Sequence, residues 1–309
     1  MTQKYIIGLG CSWTQGEGGY PQDVVDAHGG RTQIRCGQPG QPDSDYYLRV
    51  HELENSWVNQ LSKYHFPDHK SLNLGVKGIG NKAAVDQLHF VDQYDLEDAE
   101  GVIVFMLSGF ERFDVFQQHP KDHSGFESPD MYNNGEYRHE KWRTAWPVIQ
   151  EEGDNKFWTC YARELWSEQF VASNAMMALL NLQTFAKANN FKIVLANAFN
   201  QRPEGIYEWL KEYAGKLVDR FDWSCYIHND IDYVAFMEKL VELDGKLSKE
   251  EWGGFNNVYN PENLDTHSEY LTNDQGAHPT IKGYRAIADE LAKFIIKRGY
   301  IEKSQFCKP

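Results

Sequence analysis

The stretch "KYIIGLGCSWTQGEGG", residues 4–19, sets a short apolar run against a glycine-rich turn and places a serine between them. A run of this length bounded by glycine reads as a buried strand. Ser12 then lies just beyond the strand, at the carboxyl edge where open α/β sheets hold their ligands. The turn is not a phosphate loop. It matches neither GxxxxGK[ST] nor GxGxxG, since "GLGCSW" carries Trp13 where the last glycine should be.

The rest of the chain alternates in the same way, with short β-rich runs and longer helical patterns, which predicts an α/β fold with a parallel sheet. Strands are expected at 4–10, 71–75 ("SLNLG"), 101–107 ("GVIVFML") and 192–198 ("KIVLANA"), with a weaker fifth at 224–228 ("SCYIH"). Helices are expected at 56–65, near 81–92, over about 163–189 and over 203–221. The last helix is the clearest, because Ile281, Tyr284, Ile287, Leu291, Phe294 and Ile295 recur at spacings of three and four, and Pro279 sits where a first-turn proline belongs. Two connections are long. Residues 15–55, rich in Gly, Asp and Gln, read as a loop excursion, and 108–162 carry an aromatic cluster that includes Phe110, Trp142, Trp146, Trp158 and Tyr161. Long insertions at strand ends are often functional. The whole chain, 1–309, is read as one domain with these insertions.

Bulk properties narrow the function. Acidic residues outnumber basic ones 45 to 31, a formal net charge of -14, and no stretch concentrates Lys and Arg, so nucleic acid is a poor partner. The five cysteines are scattered and lack CxxC spacing, which suits a reducing compartment better than a disulfide framework or a zinc knuckle. No apolar segment approaches the ~20 residues of a membrane span, and the N-terminal run is too short for a signal-peptide core. A cytoplasmic protein with no membrane partner is expected; a virus-borne protein could reach the outside without a signal. His65 with His69 and His119 with His123 have i, i+4 spacing, but Pro67 and Pro120 interrupt the helices that would align them, so no metal is expected.

A serine hydroxyl becomes a nucleophile only with a histidine in reach, itself oriented by another group. "TNDQGAHPTIKGY", residues 272–284, supplies His278 directly before the last helix, with Asp274 four residues earlier. If that helix packs beside the first strand, both return to the edge that carries Ser12. A glycine turn in "NLGVKGIGN", residues 73–81, could present the Gly78 amide beside that of Ser12 as an oxyanion hole. Blander roles exist for each: a helix cap for Ser12 or His278, an Asx turn for Asp274, a tight turn for Gly78.

Taken in order, Gly10-x-Ser12-x-Thr14, Gly78 and Asp274…His278-Pro279 resemble the SGNH, or GDSL-type, hydrolases. The resemblance implies a three-layer flavodoxin-like fold with a five-stranded parallel sheet in order 2-1-3-4-5. It also implies ester hydrolysis by a Ser12, His278, Asp274 triad, with Ser12 and Gly78 amides in the oxyanion hole and no cofactor. Two departures stand out. The family's third block, G-x-N-D, is here "GFER", so Glu111 occupies the asparagine position, where its charge would repel an oxyanion unless Arg112 drew it aside. The acid also sits four residues before the histidine rather than three, which leaves Asp265 or a main-chain carbonyl as alternatives for orienting His278. The α/β-hydrolase arrangement does not fit, because its nucleophile elbow follows several strands.

The expected activity is hydrolysis of carboxylic esters, with O-acetyl groups on carbohydrate among the candidate substrates because exposed aromatic rings could stack on sugars. The partner is then a small-molecule or glycan ester. The rival reading is a non-catalytic carbohydrate-binding or virion structural protein on the same fold. Acyl transfer to a sugar hydroxyl would use the same triad.

Overall fold

A computed structural model of the chain describes residues 2–27, 44–76, 79–88, 96, 98–110, 112–116, 142–145, 161–198, 205–227 and 278–302. Strand β1 (Gln3–Leu9) forms where the opening run requires it and is central: it pairs in parallel with β2 (Lys70–Asn73) on one side and β3 (Ala99–Leu107) on the other. β3 in turn pairs in parallel with β6 (Phe191–Asn197). The principal sheet is therefore four-stranded, in the order β2-β1-β3-β6, an α/β layout consistent with a flavodoxin-like arrangement. Ile6, Ile7, Leu9 and Val102 to Met106 are fully buried, as expected of parallel strands covered on both faces.

The fifth strand expected at 224–228 is not a strand in the described residues. Trp223–Cys225 form a short 3-10 turn, started by Asp222, whose side chain accepts a hydrogen bond from the Ser224 amide at 3.0 Å. Tyr226 makes a single parallel bridge to Leu195 of β6. The helix expected over 203–221 is also divided. An α-helix covers Ile206–Ala214 and a 3-10 segment Gly215–Arg220, with the break at Gly215.

Two groups of helices pack against the sheet. α4 (Trp57–His65) packs on β1 and β2 and also carries the last helix, α8 (Ile281–Lys297). α6 (Glu168–Ala188) packs on β6 and carries α5 (Asn81–Asp86) and α7 (Ile206–Ala214). The 15–55 excursion is more regular than its composition suggests: α1 (Ser12–Gln15), α2 (Gln22–Ala27) and α3 (Ser44–Asn55) lie within or beside it. In the 108–162 insertion, β4 (Phe113–Phe116) and β5 (Trp142–Ala145) form an antiparallel pair.

One contact of that pair supports the edge of the sheet. The buried Asp114 carboxylate accepts the amides of Gly80 at 2.9 Å and Ala83 at 3.0 Å, satisfying two donors at the start of α5 that have no helical partner. Asp114→Ala would leave both donors buried and unpaired. A loss of about 2–3 kcal/mol in a thermal or denaturant melt is expected, with Asp114→Asn retaining part of it.

Candidate active site

The strand order reverses direction at β1 and β3, and Ser12 sits just past the carboxyl end of β1 at this switch point, where such sheets hold ligands. The backbone there is tightly constrained. Gly10 has φ +146°, and a Cβ on it would lie 2.3 Å from Thr14 Oγ1 and 2.6 Å from the Met106 carbonyl of β3. The chain then turns at Cys11 into α1, with Ser12 as its first residue, so the capping position belongs to Cys11 and not to the serine. Thr14 donates its hydroxyl to the Leu9 carbonyl at 3.2 Å, closing the turn back onto the strand.

The segment after β2 runs on beside this turn. Leu74 and Val76 donate their amides to the Gly8 and Gly10 carbonyls at 2.8 and 2.9 Å, and Asn73 donates to the Thr14 carbonyl at 2.8 Å. Downstream, Asn81 and Ser108 are locked together. The Asn81 amide donates to the Ser108 carbonyl at 3.0 Å, and the Ser108 amide donates back to Asn81 Oδ1 at 2.8 Å. The ends of β2 and β3 are thus fixed around Ser12 by buried polar bonds, an arrangement that specifies geometry because each broken bond would be costly.

The second half of the site arrives from the other end of the sequence. Thr280 caps α8 by accepting the Gly283 amide at 3.2 Å, and Gln60 of α4 donates to the Ile281 carbonyl at 3.2 Å. Tyr284, fully buried, donates its hydroxyl to the Glu17 carbonyl at 2.7 Å. These contacts pin the start of α8 beside β1, and His278 Nε2 comes to 2.9 Å from Ser12 Oγ. Both side chains are buried, 6% and 7% exposed, so a proton can pass between them with little competition from water.

Of the residues singled out from the sequence, Ser12 and His278 are brought together. Asp274, Asp265, Gly78 and Glu111 lie outside the described residues, as do His119 and His123. Arg112, expected to draw Glu111 aside, donates Nη1 to the Ile79 carbonyl at 3.0 Å. His65 is bonded to Asp289 at 2.7 Å. The ring of His69 is held below the usual histidine range, chiefly by burial and then by Lys4. The Cys225 thiol is pushed up to about 12 by burial and by Asp222, which makes it a poor nucleophile at neutral pH.

Sequence reasoning missed one group. Glu17, 1% exposed, places Oε2 at 3.1 Å from His278 Nε2, the same nitrogen that faces Ser12. Acidic residues in a glycine-rich turn are ordinarily solvated, so the pattern "GEGG" gave no signal of burial.

No protein-family model matches the chain, and no curated protein matches it. Among the described residues, no helix is long and apolar enough to cross a membrane.

Proposed function

We propose that the chain is a serine hydrolase that cleaves carboxylic esters, with Ser12 as nucleophile and His278 as its base. The observation that carries this reading is the 2.9 Å contact between His278 Nε2 and Ser12 Oγ, made by side chains 266 positions apart in sequence and buried at the switch point of the sheet. A capping serine or histidine would not need the other. The four-stranded parallel order is consistent with the flavodoxin-like sheet that the resemblance to SGNH-type hydrolases implies, and that fold is part of the proposal.

In the proposed reaction the Ser12 oxygen attacks the ester carbonyl carbon while its proton moves to His278 Nε2. The carbonyl electron pair shifts to the oxygen, which the Ser12 and Gly78 amides receive. Nε2 then gives its proton to the departing alkoxide, leaving an acyl-serine. Water repeats the sequence, with His278 taking its proton and returning it to Ser12. No cofactor enters any step. Glycan O-acetyl esters are the first substrates to compare with a simple acetate ester, because the connection that leaves β3 is rich in aromatic rings suited to sugar faces.

The test is active-site labelling. A fluorophosphonate should form one adduct, mapped by mass spectrometry to Ser12, and the protein should hydrolyse a chromogenic acetate ester. An intact chain that neither labels at Ser12 nor turns over any acetate ester would favour the non-catalytic carbohydrate-binding reading.

A further inference from the structure

Glu17 has a place in the site that the reaction above leaves unused. Its Oε2 stands 3.1 Å from His278 Nε2, and Ser12 Oγ stands 2.9 Å from the same atom. A ring nitrogen carries either a lone pair or a hydrogen. A lone pair would be served by Ser12 but would face a carboxylate oxygen unfavourably. An N–H shared between the two oxygens serves both. The geometry therefore suits a ring with a hydrogen on Nε2, as His278 has once it has taken the serine proton.

Glu17 is also held too firmly for a loose surface acid. Its amide donates to the Ser12 carbonyl at 3.1 Å, and its own carbonyl accepts the Tyr284 hydroxyl at 2.7 Å. One tie comes from the nucleophile's own residue and the other from the helix that follows the base. The other buried acid of this region, Glu52, is engaged elsewhere, by Gln15 Nε2 at 2.7 Å and by the Tyr20 hydroxyl.

We propose that Glu17 is a positioning residue that holds and charge-balances the imidazolium of His278 at Nε2. This rests on the reading of Ser12 as nucleophile. As the Ser12 O–H bond breaks and the Nε2–H bond forms, the new positive charge appears beside a buried carboxylate, where water screens it little. The role requires Glu17 as a carboxylate and involves no proton transfer to or from it. Whichever group addresses Nδ1, the role assigned to Glu17 is separate, because it acts on the nitrogen that carries the travelling proton.

The experiment uses the full chain, a chromogenic acetate ester and a fluorophosphonate. Glu17→Gln should lower kcat by on the order of 10²-fold or more, in line with removal of a charge that supports a catalytic histidine. KM should change little, and labelling of Ser12 should slow in parallel. Glu17→Asp, which keeps the charge on a shorter arm, should recover about tenfold of the loss. Wild-type kcat and labelling in Glu17→Gln would overturn the proposal. Ser12→Ala, run alongside, separates the two readings. If it abolishes turnover while Glu17→Gln does not, only the role of Glu17 falls; if it leaves turnover intact, the hydrolase reading itself falls. Should Glu17→Gln fail to fold, ¹⁵N-histidine NMR of the wild-type phosphonyl adduct decides instead. A protonated Nε2 whose hydrogen exchanges slowly supports the proposal, and an unprotonated or freely exchanging Nε2 overturns it.

Discussion

Ser12→Ala and His278→Ala should each reduce turnover of a chromogenic acetate ester by on the order of 10⁴-fold or more, and the double variant should be no worse than either single one. The equality is the informative part. With the serine gone the imidazole has no proton to take, and with the imidazole gone the hydroxyl at neutral pH is a weak nucleophile. The two side chains, 2.9 Å apart, form one chemical unit, so their losses should not add. Steady-state kinetics on the three variants, with circular dichroism to show that each is folded, make the comparison. Losses that multiply would mean that the two residues act independently, which the shared contact does not allow.

The second large effect concerns the backbone before the serine. Gly10→Ala should lower stability by about 3 kcal/mol or more, through a left-handed backbone that L residues rarely adopt and a new side-chain atom with no space. One obstacle, Thr14 Oγ1 at 2.3 Å, belongs to a side chain that could rotate only by giving up its bond to the Leu9 carbonyl. The other, the Met106 carbonyl at 2.6 Å, belongs to the central strand β3 and cannot yield without disturbing the sheet. At about 1.5 °C per kcal/mol for a chain of this size, a thermal melt should fall by roughly 4 °C or more. The same change would displace Ser12 two residues later, so activity should fall even where the variant remains folded. An unchanged melting temperature would show that the turn accommodates a side chain and that glycine is not required there.

Those two sites also show what could be read in advance. The opening strand, the β3 run and the β6 run were legible because each is a short, nearly continuous apolar stretch, and each of the first two has glycine at one end. The last helix was legible from its three-and-four spacing, and α8 buries Tyr284, Ile287, Leu291, Phe294 and Ile295. "SCYIH" misled because four or five alternating residues look alike in a strand and in a short turn; Asp222, by capping Ser224, chose the turn. The pairing of Ser12 with His278 was inferable from residue type and from the expected return of the last helix to the first strand. Glu17 was not. A buried carboxylate is disclosed only by what surrounds it, and its neighbours Ser12, His278 and Tyr284 are assembled from both ends of the sequence.

That long span has a consequence for how the molecule comes into being. Synthesis delivers the hydroxyl at position 12 first and the imidazole at position 278 only after every strand of the principal sheet has been made. A nascent chain can therefore acquire its layered shape while its reactive oxygen stays inert. The pairing of the two side chains comes late, in the step that seats the final helix, and fraying of that helix alone would part them without dismantling the sheet.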